Sequence, residues 1–187
     1  APRRRARRLG LAAGTTKLIL LLESARGLAR MERLLSASPR IVSATIGMVD
    51  LCTDLGISWE GTMYESPPLF VEERLRLSIL SRAANLERPW DTVYLAIDRP
   101  EAFREDVRLG RRLGCQGKFV IHPTQIPIVD ETYRVSEAEI ARAKRIVEEF
   151  EVALRAGRGA VSVDGMFVDE PVVVRARALL AGAADAG

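Results

Sequence analysis

The sequence predicts an α/β fold in which parallel strands and helices make up half of an eight-stranded barrel, followed by a helix, a hairpin and a second helix. Three observations carry this. Four short apolar runs alternate with segments of helical periodicity, and parallel strands need crossover helices because they cannot be joined by tight turns. Ser136 and Glu139 form an S-x-x-E pattern, the signature of a helix capping box. Asp164-Gly165 stands between two alternating apolar runs, as in a two-residue hairpin turn.

In chain order, the opening A-P-R-R-R-A-R-R-L-G-L reads as the basic end of a helix, closed by Gly14. K-L-I-L-L-L at 17–22 is a continuous apolar run, the mark of a strand covered on both faces. Leu28, Met31, Leu34 and Leu35 recur at helical spacing, S-P-R stops that helix, and 41–46 is the second strand. A polar stretch at 56–68 precedes a helix expected to bury Val71, Leu75, Ile79, Leu80 and Ala83 on one face. The third strand is placed at 91–97. Phe103, Val107, Gly110 and Leu113 stripe the next helix, Gly114 suits its left-handed end, and 118–121 is the fourth strand.

The C-terminal third has another character. The capping box starts a helix at 137–156, with Val135 and Ile140 placed for a hydrophobic staple. A-V-S-V and M-F-V flank the hairpin turn, and Pro171 suits the first turn of a last helix ending near Leu180. Residues 1–130 are therefore read as the half-barrel and residues 131–187 as a C-terminal arm.

Composition excludes several classes. With 187 residues, 48% hydrophobic and 28% charged, the chain has enough apolar side chains for a core. No run reaches the roughly 20 apolar residues needed to span a bilayer, so the expected location is cytoplasmic, without membrane partners. Cys52 and Cys115 lack the spacing of a zinc site or disulfide framework and read as buried thiols. The net charge of +3 comes from the arginines at 3–8 and Lys17. A cluster at a chain end can dock on nucleic acid, but no aromatic residues interleave with it and no recognition motif follows, so no nucleic-acid partner is expected.

Barrel chemistry sits at the C-terminal ends of strands. The polar residues that follow the four apolar runs are Glu23, Asp50, Asp98 and His122. Adjacent strands lie about 4.8 Å apart, so Glu23 and Asp50 could meet at one cation. Magnesium suits such a pair, since it is held by one or two carboxylates and keeps water, whereas zinc favours His or Cys. A salt bridge from Glu23 to Arg26 is the structural alternative. Asp98 reads as structural or as a helix cap, and Asp169, just ahead of the last helix, as a possible cap.

Four motifs in order, E-S-A-R-G at 23–27, G-M-V-D-L-x-x-D-L-G at 47–56, G-K-F-V-I-H-P-T-Q-I at 117–126 and G-M-F-V-D-E-P at 165–171, resemble the citrate lyase beta-subunit family, the HpcH/HpaI aldolase superfamily. The resemblance implies that this chain supplies strands five to eight of a TIM-type (β/α)8 barrel, without the preceding four. It implies Mg2+ on Glu23 and Asp50, and proton transfer by Asp169 from an arm packed on a neighbouring subunit of a homotrimer or hexamer. The implied reaction is cleavage of a carbon-carbon bond in a citramalyl-, malyl- or citryl-CoA type thioester, with CoA part of the substrate, giving an acyl-CoA and a 2-oxo acid. Backbone N–H groups of Gly47 and Met48 are expected to meet the oxo-acid carboxylate, and His122 to line the wall around the CoA arm. Met48 and Val49 depart from the small and acidic residues usual there, which bears on substrate choice. Thioester hydrolysis on the same fold, or an inactive truncated scaffold, are the alternatives.

Overall fold

Residues 10, 12, 14–58 and 69–184 are described by a computed structural model of the chain. The basic run at 3–8 and most of the polar stretch at 56–68 lie outside the described residues. The chain divides into two compact units, Ala1–Tyr133 and Arg134–Gly187.

In the first unit, β1 (Leu18–Leu22) pairs in parallel with β2 (Ile41–Ile46), Leu22 opposite Ile46. Between them run two short helices, α1 (Ala25–Ala29) and α2 (Met31–Leu35), rather than the single helix expected. They part at Arg30, whose φ of −114° and ψ of 17° are not helical. Leu22, Met31, Leu35, Ala44 and Ile46 pack into one core, so the helices cover one face of the strand pair. The other face of β1, where the sequence predicts cover as well, has none among the described residues, with Ile19 at 47% and Leu21 at 55% exposure.

A helix absent from the sequence reading follows β2. This is α3 (Met48–Leu55), and it places Asp50 in a helical first turn. Leu51 and Cys52, both fully buried, anchor it, and Gly56 ends it at a φ of 67°, a conformation glycine adopts without strain.

The next helix, α4 (Val71–Ala83), turns a different face inward from the one expected: Arg74, Leu77 and Ser81 are buried while Leu75 and Ile79 are exposed. The cause is electrostatic, because Arg74 reaches Asp91 at 2.7 Å and Asp106 at 3.1 Å inside the unit. The ladder between β3 (Trp90–Asp91) and β4 (Gly117–Lys118) is parallel and shorter than the strands expected at 91–97 and 118–121. Beyond it, the buried Gln125 side chain replaces the ladder, donating to the Tyr94 carbonyl at 2.9 Å and accepting from the Ile121 N–H at 3.0 Å. Glu87 N–H donates to the Val42 carbonyl and Ser43 to the Arg88 carbonyl, each at 2.9 Å, joining β2 to the segment that leads into β3. Between β3 and β4 lies α5 (Pro100–Arg112), which buries Phe103, Val107 and Gly110 as expected, and Gly114 adopts the left-handed φ of 93°. The unit closes with α6 (Ile126–Tyr133), within which residue 130 falls.

The second unit begins with α7 (Glu137–Arg155), and its capping box is complete: Ser136 Oγ accepts from Glu139 N–H at 3.2 Å and Glu139 accepts from Ser136 N–H at 2.8 Å. The hairpin pairs β5 (Val161–Val163) with β6 (Met166–Val168), with Asp164 and Gly165 at φ of 50° and 76°, both left-handed as a type I′ turn requires. The last helix, α8 (Glu170–Ala184), runs past the end expected near Leu180. Its core gathers Ile146, Phe150, Val163, Val168 and Val173. Among the described residues no helix is long and apolar enough to cross a membrane.

Candidate functional site

Parallel pairing of β1 with β2 sets the first acid. Because Leu22 and Ile46 are partners at the strand ends, the next residues, Glu23 and Gly47, are neighbours. A Cβ on Gly47 would fall 2.4 Å from Glu23 Cγ and 2.6 Å from Oε1. Gly47 has an ordinary φ of −84°, so glycine is required here by that close approach and not by backbone conformation. Gly47 is also the N-cap of α3, and Asp50 lies in the first turn of that helix. Both acids therefore stand where two strands end and one helix begins, at the positive end of the α3 dipole.

Among the described residues Glu23 and Asp50 have no ion pair or side-chain hydrogen bond, and the alternative Glu23–Arg26 bridge does not form. No three His, Cys, Asp or Glu side chains gather into a metal cage among the described residues. Two uncompensated oxygen donors, one half-buried in a cradle that a Cβ would fill, suit a hard cation that keeps most of its own water.

The N–H groups expected to meet the substrate differ in whether the protein already engages them. Gly47 N–H is already committed, donating to the Leu22 carbonyl at 3.0 Å, and so it is not available to a carboxylate. The pairing of neighbouring strands claims it. The first-turn N–H groups of α3, those of Met48, Val49 and Asp50, have no backbone acceptor among the described residues. Met48 itself is buried at 5% exposure, its side chain in the core.

His122 caps the short 3-10 turn Pro123–Gln125, its Nδ1 lying 3.4 Å from Thr124 N–H and 2.8 Å from Thr124 Oγ1. Those contacts fix the ring at the start of that turn, four residues beyond β4. Asp98 is exposed, and the residue capping α5 is Arg99. Asp169 belongs to the second unit; its carbonyl accepts from Val173 N–H at 3.1 Å, while its half-buried carboxylate makes no hydrogen bond among the described residues.

Sequence reasoning missed a four-member ion cluster under β3 and β4. Asp91 and Asp106 each bind both Arg74 and Lys118, with Lys118 2.9 Å from Asp91 and 2.5 Å from Asp106. Burial works against the Arg74 charge, but attraction from Asp91 and then Asp106 outweighs it and holds its pKa above the ordinary value. Burial likewise opposes the charge on Asp106, where Lys118 and then Arg74 prevail and hold the carboxyl below the usual carboxylate range. Helix α5 comes close enough for this only through Gly110, where a Cβ would fall 2.3 Å from Asp91 Oδ2. Cys115, beside the cluster, is pushed up to about 12 by burial and then by the charge of Asp91, so its thiol stays protonated. Arg74 is one of five charged residues on α4, and nothing in the sequence marks it as the inward one.

The profile of the HpcH/HpaI aldolase/citrate lyase family matches residues 1–123. This chain belongs to that family. It is 35% identical to the citrate lyase subunit beta of Escherichia coli K12 over 174 residues, covering 91% of this chain and 55% of that relative. It is 34% identical to the (3S)-malyl-CoA thioesterase of Cereibacter sphaeroides ATCC 17029 over 163 residues, covering 87% of this chain and 55% of that enzyme. Its fold superimposes with a TM-score of 0.76 and 29% identity on the CitE protein of Mycobacterium tuberculosis solved with magnesium, acetoacetate and coenzyme A, covering 90% of this chain and 61% of that one. The chain thus spans little more than half the length of the family members it matches.

Proposed function

We propose that this chain carries the metal-binding half of a magnesium-dependent lyase that cleaves a carbon-carbon bond in a hydroxyacyl-CoA thioester of the citramalyl, malyl or citryl type, giving an acyl-CoA and a 2-oxo acid. The observation that carries this is the Glu23 carboxylate, lodged against Gly47 and with no cationic partner among the described residues, beside the helix turn that bears Asp50. A relative of the same fold, the CitE protein of Mycobacterium tuberculosis, was solved with magnesium, acetoacetate and coenzyme A, which supports magnesium and a CoA thioester as the ligands of this site.

Glu23 and Asp50 would hold Mg2+, which when bound supplies Lewis-acid polarisation of the substrate oxygens. The N–H groups of Met48 and Val49 orient the oxo-acid carboxylate at the start of α3. His122, pinned by Thr124, positions the wall along the CoA arm. As the bond breaks, its electron pair moves onto the thioester fragment, and Asp169 delivers the proton that converts the resulting enolate to acyl-CoA. We place that aspartate on the arm at 131–187, packed on a neighbouring subunit of a homotrimer or hexamer. The exposure of Phe167, 67%, and Val174, 56%, supports a partner for the arm. Residues 1–130 form strands five to eight of a (β/α)8 barrel on this reading, with Ile19 and Leu21 on its inward wall.

Thioester hydrolysis is the second reading, favoured by the malyl-CoA thioesterase relative. Product analysis separates them. Incubated with malyl-CoA or citramalyl-CoA and Mg2+, the intact protein is expected to release glyoxylate or pyruvate. Free CoA with intact hydroxy acid would overturn the lyase reading in favour of hydrolysis.

A further inference from the structure

The second aspartate of the motif at 47–56 has no part in the chemistry above. Asp54 follows Asp50 by four residues, one turn along the same face of α3. Its Oδ2 accepts a hydrogen bond of 2.8 Å from the backbone N–H of Ala25, the first residue of α1 and two residues beyond Glu23. A carboxylate in the last turn of α3 meets the negative end of that helix dipole, so this is an unfavourable place for one unless it has other work. Here it satisfies a first-turn N–H of the neighbouring helix that has no partner within its own helix.

Three bonds then close a loop around Glu23. Gly47 N–H holds the Leu22 carbonyl on one side at 3.0 Å. Ser24 Oγ accepts from Gly27 N–H at 3.1 Å and sets the turn that follows. Asp54 ties that turn to α3, the helix carrying Asp50. The route from Glu23 to Asp50 is therefore bridged at both ends, with the strand pairing at one and Asp54 at the other.

We propose that Asp54 is a positioning residue that fixes the spacing of Glu23 and Asp50 for one small divalent cation, an inference that rests on the metal reading of those two acids. A small cation with near-octahedral demands tolerates little play between its carboxylates, and groups that orient ligands typically change metal affinity 10- to 100-fold when removed.

The test is Mn2+ binding to the intact protein, followed by electron paramagnetic resonance without substrate, in wild type, Asp54→Ala, Asp54→Asn and Glu23→Gln, with the melting temperature of each. Asp54→Ala is expected to weaken Mn2+ binding about 10-fold or more. Asp54→Asn, which keeps an oxygen acceptor, should restore most of the affinity, and Glu23→Gln should abolish binding. Should the alanine variant fail to fold, Asp54→Glu, which keeps the charge but displaces the acceptor, carries the same expectation. Wild-type affinity in folded Asp54→Ala or Asp54→Glu, alongside lost binding in Glu23→Gln, overturns the positioning role while leaving the metal site standing. Undiminished binding in Glu23→Gln overturns the metal assignment and this inference with it.

Discussion

Two pairs of acids in the first unit are treated in opposite ways. Asp91 and Asp106 are sunk among Arg74 and Lys118, each carboxylate touching both cations. Glu23 directly follows β1 and Asp50 stands in the first turn of α3, with no cation paired to either among the described residues. The difference separates two uses of one functional group. A carboxylate whose charge is fully compensated inside the protein fixes how elements pack, and one left uncompensated at the mouth of a strand is available to a ligand.

The comparison breaks most visibly at Asp91. Asp91→Ala leaves two buried cations facing a single anion, and removing one partner of such a pair typically costs about 3–5 kcal/mol. Urea unfolding should show that loss for Asp91→Ala and a loss below about 1 kcal/mol for Glu23→Ala; equal losses would erase the distinction. Activity should respond in reverse. Glu23→Gln and Asp50→Asn are each expected to lower metal-dependent turnover by about 100-fold or more, exceeding the usual effect of groups that only orient ligands, with melting temperatures close to wild type.

Acid sharpens the same contrast. Asp106 has its pKa depressed in the folded protein, so its contribution to stability is present above the pKa of the unfolded chain and is lost as pH falls through the lower, folded value. A stability profile followed by circular dichroism should therefore decline below about pH 4, and Asp106→Asn should flatten that decline. The smallest effect is expected in the second unit. Ser136→Ala removes the cap of α7 and should cost about 1 kcal/mol without altering the response to magnesium, as measured by thermal unfolding and metal titration.

Much of this was legible in the residues, for identifiable reasons. Local signals carried through: the capping box at Ser136 and Glu139, the left-handed turn at Asp164-Gly165 and the stripe of α5 depend on residues close in sequence. The inward face of α4 did not, because Arg74 is drawn inside by Asp91 and Asp106, whose nearness only the tertiary fold creates. The shortness of the β3–β4 ladder was hidden for a similar reason, since Gln125 supplies from a later turn the bonds that a longer ladder would have made. At the candidate site, Glu23 and Asp50 could be picked out as acids following apolar runs. The loss of Gly47 N–H to the Leu22 carbonyl could not be, nor could the helix that carries Asp50 in its first turn.

A crystal of the intact protein soaked in Mn2+ and measured at the manganese absorption edge tests the metal assignment most directly. The account predicts one anomalous peak within coordination distance, about 2.0–2.2 Å, of a carboxylate oxygen from Glu23 and another from Asp50. A map in which the two side chains point apart with no peak between them would contradict it.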